Sequence, residues 1–302
     1  MNDDEAKASQ IWQTVSYFIS IVGSFLSVLS YIIIILSVSL FKSLRNVPGL
    51  CILILSLYLL LADSLFLLQV TVAWYVEALS AAWCKLIGIS MHYCLILAHI
   101  WSVLIALDVS CKFSSRARTF WQGMQKAQLY KNIAIAFSVA SLLEITLLVL
   151  ESLDVLHAGF ESTKHGVCFI HGFNARLLFY VVPAVLSSLF SFGAFLYIIC
   201  NISETRRKSS MVLGSRKQKN RNNILLIALK LALIFGSTEL VGFIQVPNAV
   251  DYGWQVFNTA VYIIYSILRS LRGVLLAAVH VCRKEVFLLY KECIYSISPV
   301  SG

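Results

Sequence analysis

Residues 31–36 read YIIIIL and residues 51–61 read CILILSLYLLL. Neither run alternates apolar with polar residues, so neither suits a strand of a membrane barrel. Neither carries a charge, and each lies in an apolar block of about 20 residues or more, the length that lets a helix cross a ~30 Å hydrocarbon layer. Five further blocks qualify by the same reading. The approximate limits of the seven are Thr14–Phe41, Gly49–Tyr75, Trp83–Ser110, Gln128–Ser152, Arg176–Asn201, Asn223–Val246 and Trp254–Val281. Composition agrees: the 302 residues are 59% hydrophobic and 13% charged, with a mean hydropathy of +0.82. Soluble domains carry about 25% charged residues. A cytoplasmic enzyme, a nucleic-acid-binding domain and a disordered tail are thereby excluded. The expected fold is an all-α bundle of seven transmembrane helices.

Basic residues set the orientation, because cytoplasmic loops hold an excess of Lys and Arg. With the N-terminus outside, seventeen of the 24 basic residues fall inside, four outside and three within spans. Eight of the 15 acidic residues fall outside. The net charge of +9 therefore reports topology and not nucleic acid. The expected organisation is a short extracellular N-terminus (1–13), the seven-helix domain (14–281), and a juxtamembrane helix with a cytoplasmic tail (282–302). No cleavable leader is visible ahead of the first span, and about a dozen residues cannot fold into a ligand-capturing domain.

Of the eight cysteines, this topology puts only Cys84 and Cys168 on the oxidising side. They are expected to form a disulfide that pins the loop between spans four and five over the mouth of span three; the alternative is two free external thiols. His165 and His171 flank Cys168, but a disulfide would take away the thiol that a zinc site between them needs. No metal, cofactor or enzymatic constellation is expected. Cys282 and Cys293 flank the basic segment after span seven and are palmitoylation candidates, with ordinary free thiols the alternative. In that segment Val286, Leu289 and Tyr290 fall at helical spacing opposite Lys284 and Lys291, which suits a helix lying along the inner leaflet.

Ionisable groups inside a bilayer are costly and mark function by default. Asp63, His92, His99, Glu144, Lys230, Glu239, Arg269 and Arg272 all fall within spans. Asp63 and Arg269 lie about 20 Å and 18 Å above the inner ends of their spans, and His99 about 16 Å. An Asp63–Arg269 ion pair near His99 is therefore expected to lock spans two, three and seven, within a polar network that also takes in His92, Glu239 and Arg272; the alternative is a static structural pair or a water-filled crevice. Glu144 is expected to line a cavity or face a neighbouring helix.

Local strings then carry a resemblance. Arg45-Asn-Val-Pro-Gly49-Leu-Cys51 followed by Ser56-Leu57, Cys84 with His92-Tyr93, and Trp101 seven residues before Asp108 resemble secretin-type (class B) G protein-coupled receptors, most of all the Methuselah-like branch. Tyr180, Pro183 and Phe195 in span five, Lys230-Leu-Ala-Leu-Ile-Phe-Gly236 in span six and Leu271-Arg272-Gly273-Val274 in span seven extend it over residues 14–290. The chain departs from the family pattern at Glu239 (usually Trp), Arg272 (Gln), Arg269 (Asn) and Ser191 (often Asn), positions of the family's activation network. The resemblance implies signal transduction at the plasma membrane, an extracellular peptide or protein ligand, and a heterotrimeric G protein. Arg45, Asp108, Arg206, Arg207, Lys217 and Lys284 are the candidate G-protein contacts. Membrane lipid and a second receptor are further candidate partners. Two rival readings are a non-signalling isoform that dimerises with full-length receptors, and a transporter or channel using the intramembrane charges; the four prolines show no repeat symmetry that would favour a transporter.

Overall fold

The computed structural model describes residues 3–75, 80–113, 125–155, 159–162, 168–209, 263–264, 266–281, 286 and 288–291. In chain order these form α1 (Asp3–Leu40), α2 (Val47–Tyr75), α3 (Ala81–Phe113), α4 (Gln125–Ser152), β1 (Gly159–Ser162), β2 (Cys168–His171), a short α5 (Phe173–Arg176), one π-helical turn (Leu177–Val181), α6 (Val182–Ser209) and α7 (Arg272–His280). Here α6 is the main part of the fifth expected span and α7 the inner part of the seventh. The sixth expected span lies outside the described residues.

Five stretches among the described residues are long and apolar enough to cross a membrane: Tyr17–Leu40, Val47–Val72, Ala81–Asp108, Ala127–Ser152 and Phe173–Ala194. Their packing is inverted relative to a soluble helix. On α1 the buried positions include Ser24, Ser27, Ser30 and Ser37, while Phe18, Phe25, Leu29 and Leu36 are exposed. Lipid gains nothing from hiding a leucine, so small and hydroxyl-bearing side chains take the interior, where backbones can approach closely. On α1 many large apolar side chains are left for the acyl chains, while Tyr31, Ile34 and Val38 join the serines inside.

The first helix is longer than expected, running up to Asp3 through residues read as a separate N-terminal stretch. Ala6, Lys7 and Ala8 are strong helix formers, which suits a helix that begins this early. At the other end Arg45 donates from its guanidinium to the carbonyls of Val38 and Ser39, satisfying acceptors that the last turn leaves open. The next helix starts on a side-chain cap: Asn46 Oδ1 accepts from Gly49 N at 2.9 Å.

In the centre, α3 packs against α2, α4, α6 and both strands, and α1 bridges α2 and α7. Trp101, almost fully buried, donates its indole N–H to the Cys51 carbonyl at 2.9 Å and meets Tyr58 edge-on at 6.4 Å. Buried in lipid-facing helices, an indole without that acceptor would cost about 1–3 kcal/mol. A continuous core around Tyr31, Leu55, Leu59, Ile96 and Trp101 fills the inner half of the bundle.

Candidate functional site

The end of the bundle at which α3 begins is closed by a two-stranded hairpin that the hydrophobic pattern did not reveal. After α4, Asp154 takes a left-handed conformation (φ 52°), and Val155 N returns to the Leu150 carbonyl at 2.9 Å, so the helix stops cleanly. Antiparallel pairing then sets Phe160 against Ile170 and Ser162 against Cys168. Cys168 is bonded to Cys84 at the start of α3, with an S–S distance of 2.04 Å. One turn deeper, Gly88 leaves room for the hairpin: a Cβ there would come within 2.8 Å of the Phe160 ring. Gly172, at φ 83°, turns the chain out of β2, and Arg176 donates back to the Ile170 carbonyl at 3.1 Å.

Gln69 completes the anchor. Fully buried on α2, it accepts from Cys168 N at 2.7 Å through Oε1 and points Nε2 at the Met91 sulfur, 3.8 Å away. Replacing it with leucine leaves a buried N–H without its acceptor, a cost of about 1–3 kcal/mol. We expect Gln69→Leu to lower the Tm of the purified chain by several degrees while the Cys84–Cys168 bond still forms, as checked by thiol labelling.

Beneath the hairpin lies a buried acid–imidazole pair. His92 Nδ1 on α3 is 2.7 Å from Glu144 Oε2 on α4, and its Nε2 is 3.1 Å from the Phe179 carbonyl in the π-turn. A carbonyl only accepts, so Nε2 carries a hydrogen, and one proton is shared between Nδ1 and the carboxyl group. Phe160, Phe169 and Tyr180 surround the imidazole at centroid distances of 6.2–6.4 Å. Two turns inward on α3, His99 faces Tyr180 at 6.2 Å and places Nδ1 3.4 Å from Ser187 Oγ on α6.

A second polar centre joins α1, α2 and α7. Asp63 and Arg272 are both buried, and the Tyr31 hydroxyl lies among them. The positive charge acting most strongly on Asp63 is that of Arg272, followed by Arg269. Both span-seven arginines act on Asp63, and Arg272 is the buried one. Just beside it, Ser27 Oγ donates to the Ser270 carbonyl and accepts from Gly273 N at 3.1 Å. It bridges the step in the seventh span at Leu271, where the regular winding is interrupted before α7 begins.

At the end of the bundle away from the hairpin, Ser37 donates to the Ile33 carbonyl, so the 2.6 Å contact with Tyr290 has the phenol as donor. Phe41 meets the same ring edge-on at 4.9 Å, and Val286 is buried, while Lys291 is exposed. The juxtamembrane segment therefore lays one face on α1. Arg45 is occupied with the α1 carbonyls described above, and Asp108 lies in the inner part of α3. Arg206 and Arg207 continue α6 as helix. Glu239, Lys217, Lys284, Cys282 and Cys293 lie outside the described residues.

A sequence model of the family described as "7 transmembrane receptor (Secretin family)" matches residues 13–276. The chain belongs to that family. It is a multi-pass helical membrane protein of a receptor class. No curated protein matches the receptor chain closely enough to be compared with it.

Within this receptor the described residues of the expected polar network divide between centres: His92 and His99 face Tyr180, whereas Asp63 and Arg272 lie by Tyr31. His92 is engaged by Glu144, which sequence reasoning left without a partner, and Asp63 is engaged by Tyr31 and the span-seven arginines. Gln69 and the Phe179 carbonyl were missed altogether. An uncharged amide in an apolar span was the available signal for Gln69. For Phe179 the signal was Pro183, four residues on.

Proposed function

We infer that the chain is the seven-helix core of a plasma-membrane G protein-coupled receptor of the Methuselah-like branch, with the N-terminus outside and the C-terminus inside. The observation that carries this reading is the central helix α3. At one end it is tied by Cys84–Cys168 to a hairpin, and along its length it holds polar contacts to α2, α4 and the fifth span. A ligand on the hairpin side works by binding one packing of these helices more tightly than another, since only differential affinity shifts such a balance. Membership of the secretin-type family favours a peptide or protein ligand outside and a heterotrimeric G protein inside. Asp108, Arg206, Arg207, Lys217 and Lys284 form the inner contact surface, and Arg45 contributes through the position it gives the end of α1. Anionic lipid and a second receptor copy are further partners.

Guanine-nucleotide exchange tests the reading. With the chain in nanodiscs and a panel of heterotrimers, basal exchange is expected to rise above that of the empty disc for at least one. Arg206→Glu with Arg207→Glu should lower it about tenfold, the effect of two lost charge contacts of under 1 kcal/mol each. Absence of exchange with every heterotrimer, at normal surface expression, would favour the non-signalling dimer partner.

A further inference from the structure

The π-turn at Leu177–Val181 has a specific cause and a specific support. In α winding the donor to the Phe179 carbonyl is the N–H of residue 183. Residue 183 is proline, which has no N–H and whose ring crowds that same carbonyl. Just before it the helix widens: Val182 N reaches back five residues to the Leu177 carbonyl. His92 Nε2–H then approaches the Phe179 carbonyl from α3, at 3.1 Å. We propose that His92, oriented by Glu144, is the surrogate donor for the N–H that Pro183 lacks, and that this bond is a latch holding the fifth span in its π-wound register.

The latch is electrically quiet. His92 and Glu144 share a proton, so the pair adds no net charge to the membrane interior whichever partner holds it. It is also discrete. A π-turn contains one more residue than the α-turn it replaces, so rewinding rotates one side of the span by about 100° and moves it about 1.5 Å along its axis. The groups facing the imidazole tie it to the external hairpin: Phe160 and Phe169 from the strands, Tyr180 from the π-turn, with Lys85 and Glu151 paired 2.8 Å apart at the outer ends of α3 and α4. A displacement of the hairpin therefore bears on the latch directly, and through α6 reaches the helix that carries Arg206 and Arg207. That last step rests on the receptor reading; the latch itself does not.

The test uses the full chain in nanodiscs, with deuterium uptake of the peptide spanning Leu177–Val181 and Tm as readouts. His92→Phe should raise uptake and lower Tm by about 5 °C or more. Adding Pro183→Ala restores a backbone donor, so the double variant should return most of both losses. Effects that simply add would overturn the proposal. Glu144→Gln should match the unsubstituted chain, because the amide donates to Nδ1 and leaves Nε2–H on Phe179; losses equal to those of His92→Phe would overturn it. Nitrogen NMR of the ¹⁵N-histidine chain needs no folded variant with a damaged core: a protonated Nε2 at His92 is expected, and a bare Nε2 contradicts the latch. None of these measurements involves a G protein, so their failure is distinct from failure of the exchange assay.

Discussion

Asp63→Leu is expected to remove nearly all folded receptor from the membrane. The substitution leaves the buried Arg272, with Arg269 beyond it, facing a hydrocarbon side chain where a carboxylate stood. Leaving a buried charge without its nearby countercharge costs about 3–5 kcal/mol, which is most of the stability of a marginal bundle. The cost lies mainly in the charge left behind. Replacing both partners, Asp63→Leu with Arg272→Leu, should therefore recover much of the folded yield, measured by fluorescence-detected size exclusion in mild detergent. A double variant no better than Asp63→Leu alone would mean that Arg272 is not the principal partner. Asp63→Leu with Arg269→Leu is expected to recover less, because Arg269 is the weaker influence on the carboxylate.

The second large effect comes from the α1–α7 contact. A Cβ at Gly273 would stand 2.7 Å from the Ser27 Cα, Cβ and carbonyl oxygen, and one at Gly23 would overlap the Ser270 side chain. Backbone lies on one or both sides of each contact, so neither neighbour yields cheaply. Gly273→Leu should cost at least the about 1–3 kcal/mol of an overpacked core, and it would also force Ser27 off the step at Leu271. Thermal unfolding should show a Tm loss of several degrees, or no folded protein at all. Gly193 on α6 is the control, with nothing within 4 Å of its Cβ position. Gly193→Ala should be neutral or stabilising by about 0.5–1 kcal/mol, the helix-propensity gain. Equal losses at Gly193 and Gly273 would argue that glycine matters here only for chain flexibility.

Much of the bundle was legible in the sequence because lipid simplifies the code. A run such as YIIIIL at positions 31–36 has no alternative use in a chain of this composition, and described helices span five of the expected blocks. Cys84 and Cys168 were legible for a similar reason, since topology left them few alternatives. What escaped was azimuth and winding. Rise along a helix puts Glu144 about 24 Å above Gln128 and His92 about 27 Å above Ser110, so the two share a depth. Depth does not say which way a side chain faces, and nothing in an apolar repeat tells the interior face of α4 from its lipid face. The hairpin escaped because four-residue strands carry little periodicity. The Asp63 centre was legible as far as its helix: span seven supplies both arginines that act on Asp63, and depth alone did not say that Arg272 would be the buried one.

The departures from the family's usual residues gain a physical meaning from these contacts. Arg272 is almost fully buried beside Asp63 and Tyr31, so a basic side chain at that position belongs to a buried polar centre. Ser191, where relatives often carry Asn, is buried on α6 one turn from Ser187, which meets His99. The Ser187–His99 contact gives α3 and α6 a polar link at this level.

Every functional assignment depends on orientation, and epitope accessibility tests it most directly. With one tag at the N-terminus and another at the C-terminus, antibodies are applied to intact and to permeabilised cells. An odd number of spans with the hairpin outside predicts that the N-terminal tag is labelled on intact cells and the C-terminal tag only after permeabilisation. Both tags on one side of the membrane, or the reverse pattern, would contradict a seven-span receptor with its basic ends facing the cytoplasm.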